Sequence, residues 1–227
     1  MDFKSFAPEE LLGPLNEVEK KNSPEKIFLA GDIELLRSGA RVSVIGTRRP
    51  SPAGVKRAAQ LARTLVERHI TVVSGLAEGI DTSAHQGAIK SKGRTIAVLG
   101  TPLDQSYPKS NQDLQREIIR EHLALSQFPS GYPTRPANFP MRNRTMALIS
   151  HATVIVEAGE GSGSLHQGWE ALRLGRPLFL MESLFKNPKL KWPAEMVSYG
   201  AQALKRESLD MLFETLPQDT LSADLPF

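Results

Sequence analysis

Arg48 and Arg49 are adjacent in a turn that has neither the G-x-G-x-x-G dinucleotide fingerprint nor the G-x-x-x-x-G-K-[ST] phosphate loop. Two guanidinium groups beside a helix start fit a phosphate; the alternative is a pair of solvated loop charges. A second basic cluster is Asn138-Phe139-Pro140-Met141-Arg142-Asn143-Arg144. The early proline marks a helix start, so Arg142 and Arg144 fall in its first turns, where a cation is disfavoured by about 0.3–1 kcal/mol. The compensating anion is either a carboxylate such as Glu157 or an external phosphate. A third feature, Gly159-Glu160-Gly161-Ser162-Gly163-Ser164, forms a backbone cradle for phosphate provided that Glu157 and Glu160 face away or pair with the arginines.

Three further places are less specific. Tyr107 and Lys109 end a long loop, Gly100 to Lys109, and are either packing and solvated groups or a stacking plane and a phosphate partner. Asp81 and His85 lie four apart on a helix. They read as a local hydrogen bond fixing a turn rather than an acid/base couple, because no nucleophile or metal ligand accompanies them. His166 has no second histidine at ligand spacing and reads as structural or as a hydrogen-bond donor. No catalytic residue, metal or cofactor is expected.

The elements that must position these residues follow from apolar patterning. Beta-rich runs occur at Val42–Ile45, Thr71–Ser74, Thr95–Leu99, Leu123–Ser126, Val154–Glu157 and Pro177–Met181, with helical spacing in most of the gaps. This alternation predicts an α/β fold with a doubly wound, mostly parallel, Rossmann-like sheet in one domain. Ser51 and Pro52 suit the start of the helix after the first strand, and Val55, Ala58, Ala59, Ala62, Leu65 and Val66 form its expected buried stripe. The expected organisation is an extension packing on the core over 1–40, the main domain over 41–216 and a tail over 217–227. Turns after the first, second and fifth strands then share one sheet edge, bringing Arg48, Ser74-Gly75 and Ser162-Gly163-Ser164 together.

With 227 residues, 40% hydrophobic, the chain can bury a sizeable core. It has no cysteine, which excludes disulfides and thiolate metal sites and points to the cytoplasm. No apolar run approaches the roughly 18–20 residues of a membrane span, so no membrane partner is expected. The net charge is only +3, but residues 41–110 hold eleven Lys/Arg against four Asp/Glu. A basic segment within a near-neutral protein favours a polyanion-facing surface.

The motifs together resemble the DprA/Smf family of DNA-processing proteins, within the wider Rossmann-like group that includes the cytokinin-activating phosphoribohydrolases. The resemblance rests on Val-Ile-Gly-Thr-Arg-Arg-Pro-Ser at 44–51, Ser-Gly-Leu-Ala-Glu-Gly-Ile-Asp at 74–81 with Ala84-His85, and Thr-Ile-Ala-Val-Leu-Gly at 95–100. Leu103-Asp104, Tyr107-Pro108, Asn111, Phe139-Pro-Met-Arg-Asn-Arg144, Val156-Glu157-Ala158 and Ser162-Gly-Ser-Leu165 add to it. It implies a domain that binds single-stranded DNA, forms a homodimer and helps load a RecA-type recombinase during DNA uptake. It also implies phosphate contact by Arg48, a DNA face including Phe139, Arg142 and Asn143, and a role for Lys109 by position. The winged-helix tail and separate helical front domain of many members are not expected here. Where the family commonly continues Ser-Gly-Ser-Leu with Ile-Thr-Ala, this chain reads His166-Gln167-Gly168.

The enzyme alternative is a phosphoribohydrolase like those of the related fold. Aligning Gly163-Ser164 on their Gly-Thr places Gln167 where the catalytic glutamate stands, and an amide cannot serve as that general acid/base. A nucleotide-sensing domain using the same cradle is the third reading. Dimerisation is expected through the region after the sixth strand, with apolar Leu178, Phe179, Met181, Leu184 and Phe185.

Overall fold

The computed structural model describes residues 3–217, so most of the expected tail lies outside the described residues. In chain order the elements are β1 (Lys4–Phe6), α1 (Pro8–Leu12), α2 (Glu17–Lys20), β2 (Ile27–Gly31), α3 (Glu34–Arg37), β3 (Arg41–Gly46), α4 (Pro52–Glu67), β4 (Thr71–Ser74) and α5 (Ile80–Lys90). There follow β5 (Thr95–Leu99), α6 (Gln112–Glu121), β6 (Leu123–Ser126), α7 (Asn138–Ile149), β7 (Ala152–Glu157), α8 (Ser164–Arg173), β8 (Leu178–Met181), α9 (Trp192–Ser198), β9 (Gln202–Leu204) and α10 (Leu209–Glu214). The strands form one nine-stranded sheet in the order β1-β2-β6-β5-β4-β3-β7-β8-β9. All neighbours from β6 to β9 run parallel; β1 and β2 are antiparallel additions at one edge.

All six strands expected from apolar patterning are present, and the sheet is doubly wound. The strand order runs outward from β3 through β4, β5 and β6 in one direction and through β7, β8 and β9 in the other. The reversal between β3 and β7 is the topological switch point, where such sheets open a crevice at the carboxyl ends of their strands. Strand alternation sends Val42 and Val44 to the face covered by α4, α5 and α10, and Ile45 to the face covered by α7, α8 and α9.

Helix α4 starts as its sequence dictates: Ser51 is the N-cap, its hydroxyl accepts from Gly54 N at 3.0 Å, and Pro52 occupies the first turn. The buried stripe is Gly54, Ala58, Leu61, Ala62 and Leu65. Val55, expected inside, is 41% exposed, because the packed face is rotated toward the 54/58/61/65 spacing. Leu178 and Phe179, expected on an association surface, are core residues, since β8 is an inner strand covered on both faces; Leu184, in the turn after it, is buried too, Met181 is partly buried, and Phe185 is 40% exposed.

Candidate functional site

At the carboxyl end of β3, Gly46 lets two neighbours approach closely: a Cβ there would lie 2.6 Å from Glu157 O and 2.6 Å from Ile80 Cγ1. Thr47 N donates to Glu157 O at 2.7 Å, and Thr47 O accepts from Ile80 N at 3.2 Å. The chain is therefore pinned between β7 and α5 before it turns. Arg48 and Arg49 project from that pinned turn, exposed and with no carboxylate partner among the described residues.

The start of α4 is not an open anion site. The Glu157 carboxylate accepts from Ser51 N and Ser51 Oγ, both at 2.7 Å, and pairs with Arg57 Nη2 at 2.8 Å. Glu157 thus holds the Ser51 cap of α4 in place and is not the counter-charge of Arg142 and Arg144. A negative group near the helix N-terminus is the favourable arrangement, and here the protein supplies it.

The Phe139 ring lies across Gly100, where a Cβ would come within 2.7 Å of it. The Arg48 guanidinium sits 5.4 Å from the centre of the Phe139 ring, and the Tyr107 ring packs on Phe139 with centroids 5.3 Å apart. Tyr107 is 48% exposed, so the three form a short cationic and aromatic ladder reaching solvent.

Deeper in, Arg142 is buried, donating from Nη1 to Val98 O at 3.2 Å with Asp81 Oδ2 at 4.0 Å. Burial lowers the Arg142 pKa, opposed by Asp81; burial likewise raises the Asp81 pKa, opposed by Arg142. Desolvation therefore outweighs mutual attraction for both partners, as expected of an ion pair at this separation in a dry site. Asn143 donates from Nδ2 to Gly163 O at 3.1 Å and so holds the glycine-rich loop. In that loop the Ser162 and Ser164 hydroxyls bond each other at 2.8 Å, and Gly159, Gly161 and Gly163 face open space. The Glu160 carboxylate accepts from Lys191 N at 2.5 Å, and the residue still lines the crevice.

These parts enclose a cavity of about 390 Å³ at the switch point. Of the expected site residues, Arg48, Arg49, Phe139, Arg142, Asn143, Ser162, Gly163 and Ser164 line it. Ser74 does not: it is fully buried and donates to Val44 O at 2.7 Å. Gly75 lies behind the wall, where a Cβ would collide with Arg142 Nη1. Lys109 is exposed in a short turn outside the cavity, and Arg144 pairs with Glu170 at 3.4 Å. Asp81, His166 and Gln167 also line the cavity, although sequence reasoning gave none of them a binding role there.

Asp81 and His85 do not bond each other. Asp81, in the first turn of α5, accepts from Ala77 N at 3.4 Å. Thr95 Oγ1 donates to Val72 O at 2.9 Å, so it accepts the 2.7 Å bond from His85 Nδ1, which fixes the tautomer. Burial pushes the His85 pKa down to about 3, with His122 and Arg142 adding to the shift. The folded state thus refuses a proton that the unfolded chain takes near pH 6.5. The His85 contribution to stability is fully present above that pH and is lost between it and about pH 3, at up to about 1.4 kcal/mol per pH unit, while Asp81, whose pKa is raised, acts in the opposite direction. His151, lowered to about 4 by burial and then Arg41 and Arg176, acts in the same direction as His85. Urea denaturation repeated down this interval should show the loss, and a flat profile would contradict it.

The sequence profile of the family described as DNA recombination-mediator protein A matches residues 8–216. The chain belongs to that family. Members similar to it include the DNA processing protein DprA of Bacillus subtilis, 33% identical over 90% of this chain, and that of Streptococcus pneumoniae, 38% identical over 78%. The chain spans 68% and 62% of the lengths of these two relatives. The solved structure of DNA processing protein A from Streptococcus pneumoniae superposes with a TM-score of 0.81 at 32% identity, covering 93% of this chain and 74% of that one. The family member from Helicobacter pylori, whose structure is described as giving insight into its single-stranded DNA binding mode, superposes at 0.79 with 28% identity over 93% and 97%. The DprA-type fold is therefore shared across nearly the whole chain. Among the described residues no helix is long and apolar enough to cross a membrane, and no group of three or more His, Asp or Glu is placed to hold a metal.

Proposed function

We propose that this recombination-mediator family member holds single-stranded DNA in the crevice between β3 and β7 and passes it to a RecA-type recombinase, working as a homodimer without covalent chemistry of its own. The observation that supports this most is the ladder of Arg48, Phe139 and Tyr107 at the crevice mouth. A cation beside two aromatic rings, the outer one exposed, suits a strand whose phosphates and unpaired bases are both available, and a duplex hides the latter. Arg48 and Arg49 are the proposed phosphate contacts, with the Ser162-Gly163-Ser164 loop as a backbone partner.

Fluorescence anisotropy with single-stranded DNA, duplex DNA and free nucleotides over a salt series tests this directly. Salt-sensitive binding confined to the single strand is expected, and equal or tighter binding of a mononucleotide would favour a nucleotide sensor instead. Sedimentation of the same samples reports whether the DNA-bound species carries two chains.

A further inference from the structure

A second concavity lies on the face of the sheet covered by α4, α5 and α10, and it shares no lining residue with the crevice. It is a groove of about 1290 Å³ between α4, the end of α5 and the carboxyl ends of β8 and β9. Three of its cations are engaged within the protein: Arg57 by Glu157 at 2.8 Å, Arg63 by Glu67 at 2.8 Å and Lys186 by Glu182 at 3.0 Å. Lys56, Lys90, Lys92 and Lys205 line it too, exposed and with no carboxylate partner among the described residues. These four come from α4, the end of α5 and the turn after β9, so the fold and not a run of sequence gathers them. Between them the floor is aliphatic, with Leu61 and Leu204 buried and Met181 and Leu209 partly buried.

Uncompensated cations around an apolar floor suit an occupant that is both anionic and aliphatic. A nucleic acid strand fits poorly. Its charge repeats at every nucleotide, so it would meet Glu67 and Glu182 on the same walls, and no aromatic ring lines the groove, among the described residues, to stack a base. The four free cations are all lysine, which meets an anion as a point charge and lacks the paired donors with which arginine recognises phosphate. A metabolite is too small, because the groove exceeds the roughly 300–1,000 Å³ of small-molecule pockets. A peptide can set carboxylates opposite the lysines, place neutral residues opposite the glutamates and lay leucines on the floor.

We propose that this groove docks an acidic, leucine-bearing peptide segment of a partner protein, and that it does so whether the crevice is free or filled. The proposal stands apart from the single-strand reading, since groove and crevice have no residue in common. The chain then carries two working faces, one for a polynucleotide and one for an acidic protein segment.

The test is fluorescence anisotropy of the whole chain with a labelled peptide of Asp, Glu and Leu, a counterpart with Asn and Gln for the acids, and a counterpart with Ser for Leu. The acidic leucine peptide should bind in a salt-sensitive manner and about tenfold tighter than either counterpart. Combining Lys56→Ala, Lys90→Ala and Lys205→Ala should weaken it about tenfold, the joint effect of three exposed ion contacts, and leave single-strand affinity within about twofold of wild type. All three side chains are exposed, so the variant should melt as wild type does. Leu209→Ser should weaken the peptide severalfold through the floor, and the lysine variant decides the matter if Leu209→Ser does not fold. Equal binding of the acidic peptide and its amide counterpart, or unchanged peptide affinity in the lysine variant, overturns the proposal. An equal loss of single-strand affinity in that variant also overturns it, by making the groove a second track for nucleic acid. Tighter peptide binding after removal of residues 218–227, whose Asp219, Leu221, Asp224 and Leu225 carry the same chemistry, would make this chain the occupant and overturn the choice of a partner protein. Failure of wild type to bind a single strand while it binds the peptide would overturn the functional reading and leave this one standing.

Discussion

Asp81→Ala lowers folding stability by about 3–5 kcal/mol, the usual cost of removing one partner from a buried ion pair. The effect is large because Arg142 is 5% exposed and its remaining bond is to Val98 O, so the substitution leaves a guanidinium charge in a dry wall. Asp81 also accepts from Ala77 N, and that amide loses its partner in the same step. The pair itself is poor, with 4.0 Å between Arg142 Nη1 and Asp81 Oδ2 and burial dominating both pKa shifts. Asp81→Ala combined with Arg142→Met should therefore recover much of the loss. Urea midpoints for the two single variants and the double variant measure this cycle. A loss under about 0.5 kcal/mol for Asp81→Ala, the size of an ordinary surface substitution, would show that the charge is solvated after all.

Arg48→Ala weakens single-stranded DNA binding across sequences and reduces the salt slope by about 0.7, the value per phosphate neutralised on a single strand. The substitution removes an exposed cation that has no carboxylate partner among the described residues and stands 5.4 Å from the Phe139 ring. Arg68→Ala, at the far end of α4, is the control; its guanidinium is engaged by Asp210 at 3.3 Å and lies over the Phe213 ring. If Arg48 only braces its turn, melting temperature falls and the slope stays. Unchanged affinity and slope with the fold intact would remove the crevice as the DNA site.

Much of this arrangement is legible in the sequence because it is local. Val42 to Ile45 breaking at Gly46, with Ser51 and Pro52 following, gives a strand, a turn and a capped helix without tertiary information, and parallel strands then bring their carboxyl-end turns to one edge. What the sequence did not disclose depends on distant partners. Glu157 holds the N-cap residue of a helix about a hundred residues earlier in the chain, which no spacing rule anticipates. Arg142 reads as a helix-start cation matched by Glu157 or an external phosphate, but α7 packs its first turns over Gly75 and puts the guanidinium in the wall near Asp81. β1 and β9 have three residues each, too few for an alternation to register. The four free lysines of the second groove lie on separate elements and are brought together only by the fold.

The two outermost strands carry a further consequence. A sheet whose end strand is long and flat offers unpaired N–H and C=O groups as a template for another chain. Among the described residues β1 and β9 terminate the sheet on either side with three residues each, and β1 runs antiparallel to its neighbour β2. A second copy docking there would gain only a few ladder bonds, so self-association by strand addition is disfavoured at both ends. Pairing of two copies is then expected to use helix and loop surfaces and to leave the sheet that frames the crevice closed.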